Sequence, residues 1–267
     1  MKKILLFTAL FSFTLVGYSQ ANPILKSKKG TYILPQTGDW GIGASVNPFF
    51  SYLGNMFTSN NVVPGLDFQN INFKYFKDEK NVRRAGITIQ SHFHTEKIQV
   101  NNLDPDAEPG STVYDKISQS ELNINLTYGL EKRRGSGRLQ GVYGIEGLVG
   151  YGTGSKTRTK YGNSMEFYAN AIGPNRPTLN SSTPSALTLG AQAFLGFEYF
   201  FAPKISVGGE VYLNASYTFG GKAINKSEVW DSNEGKSNIV MSSLNNRTGD
   251  FNFGIRNWSN LRFMFYF

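Results

Sequence analysis

The most regular feature of the chain is an alternation of apolar and polar positions with a period of two residues. The stretch ELNINLTYGL shows it most clearly, since Leu122, Ile124, Leu126, Tyr128 and Leu130 alternate with polar or small residues. Successive side chains of a β-strand point to opposite faces, so this period predicts strands with one apolar face. Eight such segments follow one another along the chain: 40–46, 71–76, 84–94, 121–130, 143–151, 191–200, 207–219 and 251–267.

The connections between the predicted strands alternate in length. Three are short, at 77–81, 131–137 and 201–204. Four are long, at about 54–65, 97–117, 153–185 and 220–249. Short turns at one end and long loops at the other are typical of outer-membrane β-barrels. We therefore expect an all-β fold, a closed antiparallel transmembrane β-barrel of eight strands, although the loop 153–185 could add a hairpin and give ten strands.

The last segment, NLRFMFYF, places Leu261, Phe263, Phe265 and Phe267 on one face. The last strand of a closed barrel must pair with the first, because an open edge in lipid would leave backbone groups without hydrogen bonds. Aromatic residues on the lipid-facing side form girdles at the membrane interfaces. The segment therefore fits a closing strand, and an even strand number places both termini on the periplasmic side.

The face opposite the apolar one decides between a membrane barrel and a soluble one. It is rich in Asn, Gln, Thr and Gly, and its charges balance at four against four. A solvated face would carry more Lys and Glu, so a soluble β-sandwich or barrel is the weaker alternative. We predict an ion-pair network in the barrel lumen, formed by Lys74, Arg84, Glu121, Glu146, Glu198, Glu210, Arg256 and Arg262.

The first residues, MKKILLFTALFSFTLVGYSQ, contain two lysines, an apolar run and then small residues. This order is typical of a secretory signal peptide, which we assign to residues 1–19. Residues 20–38 would then be a periplasmic segment that lies across the barrel mouth or binds a neighbour, and residues 39–267 the barrel. Cysteine is absent, which excludes disulfides and a lipid anchor attached through cysteine.

Composition and charge agree with this class of protein. Aromatic residues make up 14% of the chain, glycine occurs 29 times, and the formal net charge is +8. An exported protein rarely meets nucleic acid, so we expect no nucleic-acid partner. The predicted periplasmic turns are basic, and their cations either meet anionic lipid headgroups or only keep the turns soluble: Lys77, Lys80, Lys132, Arg133, Arg134 and Lys204.

With this architecture, the chain resembles the small outer-membrane β-barrel proteins of the OmpA/OmpX type over nearly all of residues 39–267. The resemblance rests on the signal segment, the strand and loop pattern and the terminal phenylalanine. It implies that Phe263, Phe265 and Phe267 form the C-terminal signature that the barrel-assembly machinery reads during insertion. It implies little about function, because one fold hosts many functions.

Candidate chemistry is sparse. His92 and His94 share one face of a predicted strand, where two imidazoles about 7 Å apart could hold a metal together with Glu96 or Glu121. Two polar lumen residues in a hydrogen-bond network are the more ordinary interpretation. The motifs of nucleotide, calcium and zinc sites are missing from the sequence, so we expect no cofactor.

The predicted function is therefore non-enzymatic, with a structural or interaction role carried by the long loops in the outer membrane of a Gram-negative bacterium. Partners would be membrane lipid, lipopolysaccharide through the basic segment KTRTKYG, or a larger outer-membrane complex. An enzyme acting on lipid or peptide at the barrel rim is one alternative. A narrow channel is the other, although eight strands enclose little more than their own side chains.

Overall fold

The computed structural model describes residues 25–45, 70–244, 248–256 and 261–267. The predicted signal peptide 1–19 and the loop 54–65 lie outside these residues. Within them the chain forms a short helix, α1 (Met165–Ala171), and thirteen strands. The strands are β1 (Trp40–Ser45), β2 (Asn70–Phe76), β3 (Asn81–Asn101), β4 (Thr112–Arg134), β5 (Leu139–Gly152), β6 (Lys156–Lys160), β7 (Asn175–Ser182), β8 (Ala186–Ala202), β9 (Ile205–Gly220), β10 (Ala223–Asp231), β11 (Lys236–Leu244), β12 (Gly249–Arg256) and β13 (Arg262–Tyr266).

Eight of these strands pair into a ring in one antiparallel sheet. The order around the ring is β1, β2, β3, β4, β5, β8, β9 and β13, and β13 pairs with β1 again. At the closing seam, the amides of Trp40 and Phe267 each donate to the other's carbonyl at 2.9 Å. The sequence thus predicted the ring strands, but an eight-strand total is wrong, because five more strands belong to the same sheet.

The segment 251–267 is two strands instead of one. β12 pairs with the second half of β9, from Phe219 to Tyr212, and β13 pairs with its first half, from Gly208 to Ile205. Both strands therefore lie along the same neighbour.

The long connections contain most of the additional strands. β4 pairs with β5 as far as Asn123, and its preceding residues 116–120 pair instead with β6. The sheet then continues through β7 and β10 to β11. The sequence allowed for an extra hairpin in the loop 153–185, and β6 and β7 form it. The β10–β11 hairpin pairs with β7 and widens this part of the sheet. We call the part of the sheet formed by β6, β7, β10, β11, residues 93–101 of β3 and residues 112–120 of β4 the extension.

Apolar side chains face out of the ring, and polar ones face in. Ile145, Leu195 and Leu130 are 64%, 61% and 56% exposed, whereas Asn72, Gln140 and Asn214 are at most 6% exposed. This polarity is the reverse of that of a water-soluble protein, whose strands bury their apolar faces.

One end of the ring is closed by an apolar core. This is the end at which the short turns join β2 to β3, β4 to β5 and β8 to β9. Residues 25–39 lie across it, because the Ile33 carbonyl accepts from the Lys204 amide at 2.9 Å and the Gly38 amide donates to Phe76 at 2.8 Å. The core side chains are Ile33, Phe76, Val82, Phe200, Met264 and Tyr266.

The helix α1 begins at Ser164, whose hydroxyl accepts a hydrogen bond from the Phe167 amide. A serine at this position satisfies an amide that has no partner within the helix. In the described part of the chain, no helix has the length and apolar character needed to cross a membrane.

Candidate functional site

Eight charged side chains meet inside the ring, four cations and four carboxylates. Each is at most 5% exposed. They come from seven of the eight ring strands, with only β1 contributing none: Lys74, Arg84, Glu131, Arg133, Glu146, Glu198, Glu210 and Arg262. We call this set the interior network. Its formal charge is zero, which is what burial away from water requires of a group of ions.

Arg84 of β3 holds three carboxylates together. Its Nη1 lies 3.2 Å from Glu131 and its Nη2 lies 3.0 Å from Glu210, while its Nε pairs with Glu146. Phe194 packs against the guanidinium, with the ring centroid 4.1 Å from Cζ. A planar guanidinium can donate in several directions at once, so one arginine can link three strands across the ring.

Two further cations fill the space between Arg84 and the apolar core. The Lys74 ammonium lies 2.9 Å from Glu131 and 3.1 Å from Glu198. Arg133 lies 3.2 Å from Glu131 and 2.9 Å from Glu198, and its guanidinium packs near the rings of Phe76 and Phe200. Glu131 therefore has three cationic partners, more than any other carboxylate of the network has.

Hydroxyl groups complete the network on the side of β9 and β13. Arg262 pairs with Glu210 at 2.9 Å, and it also donates to the Tyr212 hydroxyl. The hydroxyls of Ser206 and Tyr266 both donate to Glu198. These bonds occupy carboxylate lone pairs that the cations leave free, which reduces the cost of taking the ions out of water.

A glycine stands opposite every carboxylate of the network. The cross-strand pairs are Glu131 with Gly144, Glu146 with Gly129, Glu198 with Gly208 and Glu210 with Gly196. A methyl group at Gly129 would lie 2.5 Å from the Glu146 Cγ, and one at Gly196 would lie 2.6 Å from the Glu210 Cγ. Gly129 and Gly196 thus provide the room that the side chains of Glu146 and Glu210 occupy.

Six of the eight residues predicted for a lumen network are in it, and one is elsewhere. Glu121 accepts from the Asn123 side chain at 2.8 Å and is only partly buried. It lies ten residues before Glu131 on β4, about 33 Å away at ~3.3 Å per residue, so placing it in the network was wrong. The Arg256 side chain is outside the described part of the structure.

Sequence reasoning missed Glu131 and Arg133. The charged run EKRRGSG was interpreted as a turn, and Arg133 as a cation at the surface of that end; both assignments are wrong. β4 continues to Arg134, and the turn is 135–138. The available signal was the period of two, which continues unbroken past Gly129 with Glu131 and Arg133 on the polar face and Leu130, Lys132 and Arg134 on the other.

The other predicted positions lie on the outside of the ring or beyond it. Phe265 and Phe267 are 48% and 68% exposed, and Phe263 packs against both Phe265 and Phe201. His92 and His94 are exposed, with ring centroids 6.5 Å apart. Among the described residues, no group of three His, Cys, Asp or Glu side chains could hold a metal ion.

The extension is ordered around Arg176 of β7. Its Nη2 donates to the carbonyls of Asn163 and Ser164 at 3.1 and 2.7 Å, just before α1. Its guanidinium packs against the rings of Tyr161 and Tyr168, and Nη1 lies 3.4 Å from Glu228 of β10. Burial raises the pKa of the Tyr161 hydroxyl, although the Arg176 cation opposes this. One arginine thus joins the helix to two strands.

These arrangements suit structural tasks better than acid–base chemistry. Every carboxylate of the interior network is engaged by at least one cation, so none is available as a free base. The site therefore fills the ring and links its strands, and the described residues that face other molecules lie on the outside of the ring and on the extension. Neither the models of known protein families nor the curated proteins contain a match to this chain.

Proposed function

We propose that this protein is an integral outer-membrane β-barrel with a filled interior, which acts outside the bilayer through the extension. It would be exported by the signal peptide 1–19, inserted by the barrel-assembly machinery through Phe263, Phe265 and Phe267, and keep both termini in the periplasm. Its role is non-enzymatic. The extension binds a partner, and the partner we propose is another outer-membrane protein.

The outward face of the ring is the observation that carries this proposal. Among the described residues of the ring strands, this face holds no Asp or Glu between Trp40 and Phe267, and its middle consists of apolar and aromatic side chains. A protein in water would not expose such a continuous apolar belt. A bilayer requires one, together with a closed strand ring that leaves no backbone edge in lipid.

The belt also has a suitable height. On β9 the outward apolar residues run from Val207 to Phe219. Twelve residue steps correspond to about 40 Å along the strand, or about 28 Å across a bilayer for a strand tilted by about 45°. The hydrocarbon core of a typical bilayer is about 30 Å thick.

The interior argues against the channel alternative. The interior network fills the half of the ring nearer the short turns, and residues 25–39 with the apolar core cover that end. An eight-stranded ring has an interior that side chains can fill. We therefore assign the function to the extension, in which Arg176 joins the helix to two strands.

Fluorescence of single tryptophans in lipid vesicles tests the proposal. Trp40 is 52% exposed on the outward face of β1, whereas Trp230 lies on β10 of the extension. A variant that keeps only Trp40 (Trp230→Phe and Trp258→Phe) is reconstituted in phosphatidylcholine with brominated acyl chains. We expect strong quenching, because bromine in the hydrocarbon core quenches only tryptophans that contact lipid.

The matched control keeps only Trp230, through Trp40→Phe and Trp258→Phe. We expect its fluorescence to be unchanged by brominated lipid, since β10 would lie beyond the bilayer. Unquenched Trp40 would exclude a membrane-embedded ring, and equal quenching of both tryptophans would exclude an extension outside the membrane. Conductance of the same vesicles should match that of protein-free vesicles.

A further inference from the structure

Three lysines lie side by side on neighbouring strands of the extension. Lys97 of β3 is paired in register with Lys116 of β4, which is paired in register with Lys160 of β6. All three are exposed. Directly opposite residues of antiparallel strands share a face, with Cβ atoms about 4.5–5.5 Å apart, and like charges in this position destabilise the sheet. The row is therefore a place where an anion would be stabilising.

Two more exposed cations lie between this row and the apolar belt. Arg158 is opposite Ser118, and Lys156 is opposite Ser120. Ser120 is in turn opposite Phe93, an aromatic residue that is 76% exposed on the outward face. The cations thus begin at the level of an outer aromatic side chain and continue for four residues beyond it, about 13 Å along the strand.

Charges of opposite sign are separated between the two faces of these strands. On β3 and β4 the carboxylates are Glu96, Asp115, Glu121 and Glu131, and all four alternate onto the face opposite the lysine row. The β6 strand contains no acidic residue. Among the described residues of these three strands, the lysine row therefore has no carboxylate on its own face.

The face that carries the cations is the same face that carries the apolar belt. The β3–β4 pairing runs without a register shift from Asn81 to Asn101, so Lys97 and Lys116 share a face with Ile89 and Leu126. Both apolar residues are about half exposed. If the belt lies in the membrane, as proposed above, then these cations lie where the headgroups begin on the side of the long connections.

We propose that this cationic face, formed by Lys97, Lys116, Lys156, Arg158 and Lys160, binds the phosphate groups of lipopolysaccharide in the outer leaflet. The long apolar stems of the lysines can lie along the sheet while their ammonium groups reach the phosphates. Arginine adds bidentate contacts to phosphate. Continuity with the apolar belt selects a lipid phosphate over a soluble anion, because the acyl chains of the same molecule would cover the belt.

The test is a binding titration with lipid A that carries both phosphates, using the protein in phosphatidylcholine nanodiscs. The variant Lys97→Gln, Lys116→Gln and Lys160→Gln removes the row. Each basic residue near an anionic membrane surface is worth about fivefold in affinity, so we expect the loss of all three lysines to weaken binding by roughly 100-fold. Lipid A with its phosphates removed should bind the wild-type protein more weakly still than intact lipid A binds the variant, because Lys156 and Arg158 remain in the variant.

A matched variant removes the same charge elsewhere. It carries the substitutions Lys28→Gln, Lys29→Gln and Lys80→Gln, which lie in the N-terminal segment 25–39 and in the turn between β2 and β3. We expect less than a threefold change in lipid A binding. Equal binding of lipid A by the wild-type protein and the row variant would overturn the inference.

Insertion into pure phosphatidylcholine separates this inference from the proposed function. The row variant should insert as well as the wild type, because its substitutions are exposed and relieve repulsion between like charges. Insertion without a phosphate preference would overturn the lipopolysaccharide site and leave the membrane barrel intact. Failure of the wild-type protein to insert would overturn both.

Discussion

At the scale of residues, the fold depends on how glutamate is accommodated inside the ring. A buried carboxylate is costly unless ion pairs and hydrogen bonds replace its water. Here each glutamate of the interior network faces a glycine across the ladder and reaches cations from other strands. Such a network adds little stability over apolar packing, but the loss of one member leaves a buried charge of the opposite sign uncompensated.

The substitution Glu131→Gln tests this network at its best-connected carboxylate. It leaves Lys74, Arg84 and Arg133 with one fewer anionic partner each. We expect the free energy of unfolding to fall by about 3–5 kcal/mol. The measurement is urea unfolding in lipid vesicles, followed by the difference in gel mobility between folded and unfolded protein.

Glu121→Gln is the matched control, because it makes the same chemical change on the same strand. Glu121 lies outside the network, so we expect a change within about 0.5 kcal/mol. Equal effects of the two substitutions would contradict a network centred on Glu131.

At the scale of elements, the turn between β2 and β3 contains a carboxylate that its neighbours stabilise in the ionised form. The Asn81 side chain donates to both Asp78 oxygens at 3.0 and 2.9 Å, and the Lys80 amide donates to Oδ1 at 2.8 Å. These bonds hold the pKa of Asp78 below its ordinary value of 3.8, and the bonds from the Asn81 side chain have the largest effect. Because the Asp78 side chain bonds to backbone amides of its own turn, it fixes the turn geometry and so helps to keep β2 and β3 in register.

The lowered pKa gives a stability effect with a definite sign. Because the folded-state pKa is below the unfolded one, ionised Asp78 stabilises the fold fully above the unfolded pKa, and this contribution disappears as the pH falls through the folded pKa. The difference in unfolding free energy between the wild type and Asp78→Asn should therefore be constant above about pH 5 and shrink in more acidic solution. Carbon NMR of the Asp78 carboxyl gives its titration midpoint directly.

Asn81→Ala provides the control for this turn, since it removes the donor with the largest effect. The midpoint should then move up toward the ordinary value. A wild-type midpoint at or above 3.8 would contradict the hydrogen bonds seen in the turn.

The N-terminal segment 25–39 is an element without regular secondary structure that nevertheless supplies part of the core. Ile33 is only 2% exposed. We expect Ile33→Ala to lower the free energy of unfolding by about 2–5 kcal/mol, because it leaves a cavity among Phe76, Phe200 and Met264. The matched variant Ile172→Ala changes an isoleucine that is 65% exposed, and urea unfolding should show little change. If Ile33→Ala and Ile172→Ala lower the free energy of unfolding by similar amounts, then the segment 25–39 does not close the ring.

At the scale of the whole molecule, the inverted polarity separates a membrane protein from a soluble one. Ile145 lies near the middle of the outward belt and is 64% exposed. In a bilayer, Ile145→Lys should cost about 2–4 kcal/mol of unfolding free energy. In a protein surrounded by water, replacing an exposed isoleucine by lysine is usually neutral.

Tyr114→Lys is the comparison for this prediction. Tyr114 of β4 is 57% exposed and lies on the same outward face of the sheet as Ile145. It is in the extension, two residues farther from the ring than Lys116. We expect a change within about 0.5 kcal/mol for it in vesicles. If both lysines are tolerated equally, the belt does not lie in lipid.

The sequence alone determined which segments contain the ring strands and which face of each strand is charged. A period of two is a local property, because it follows from the geometry of a single extended strand. It therefore identified the segments around Ile87, Leu126 and Leu213, and it placed Lys74, Arg84, Glu146, Glu198, Glu210 and Arg262 on the polar face before any pairing was known.

Only the tertiary structure decided which strands pair, how far they extend and what fills the ring. Pairing joins residues far apart in sequence, such as Gly41 with Tyr266, and depends on register instead of local pattern. The charged run at Glu131 has the composition of a turn, because the ions that Glu131 and Arg133 pair with on other strands, Lys74 and Glu198, become their neighbours only on closure. The extension was hidden for the same reason, since β6 and β7 are short, polar strands that gain their order by pairing with β4 and β10.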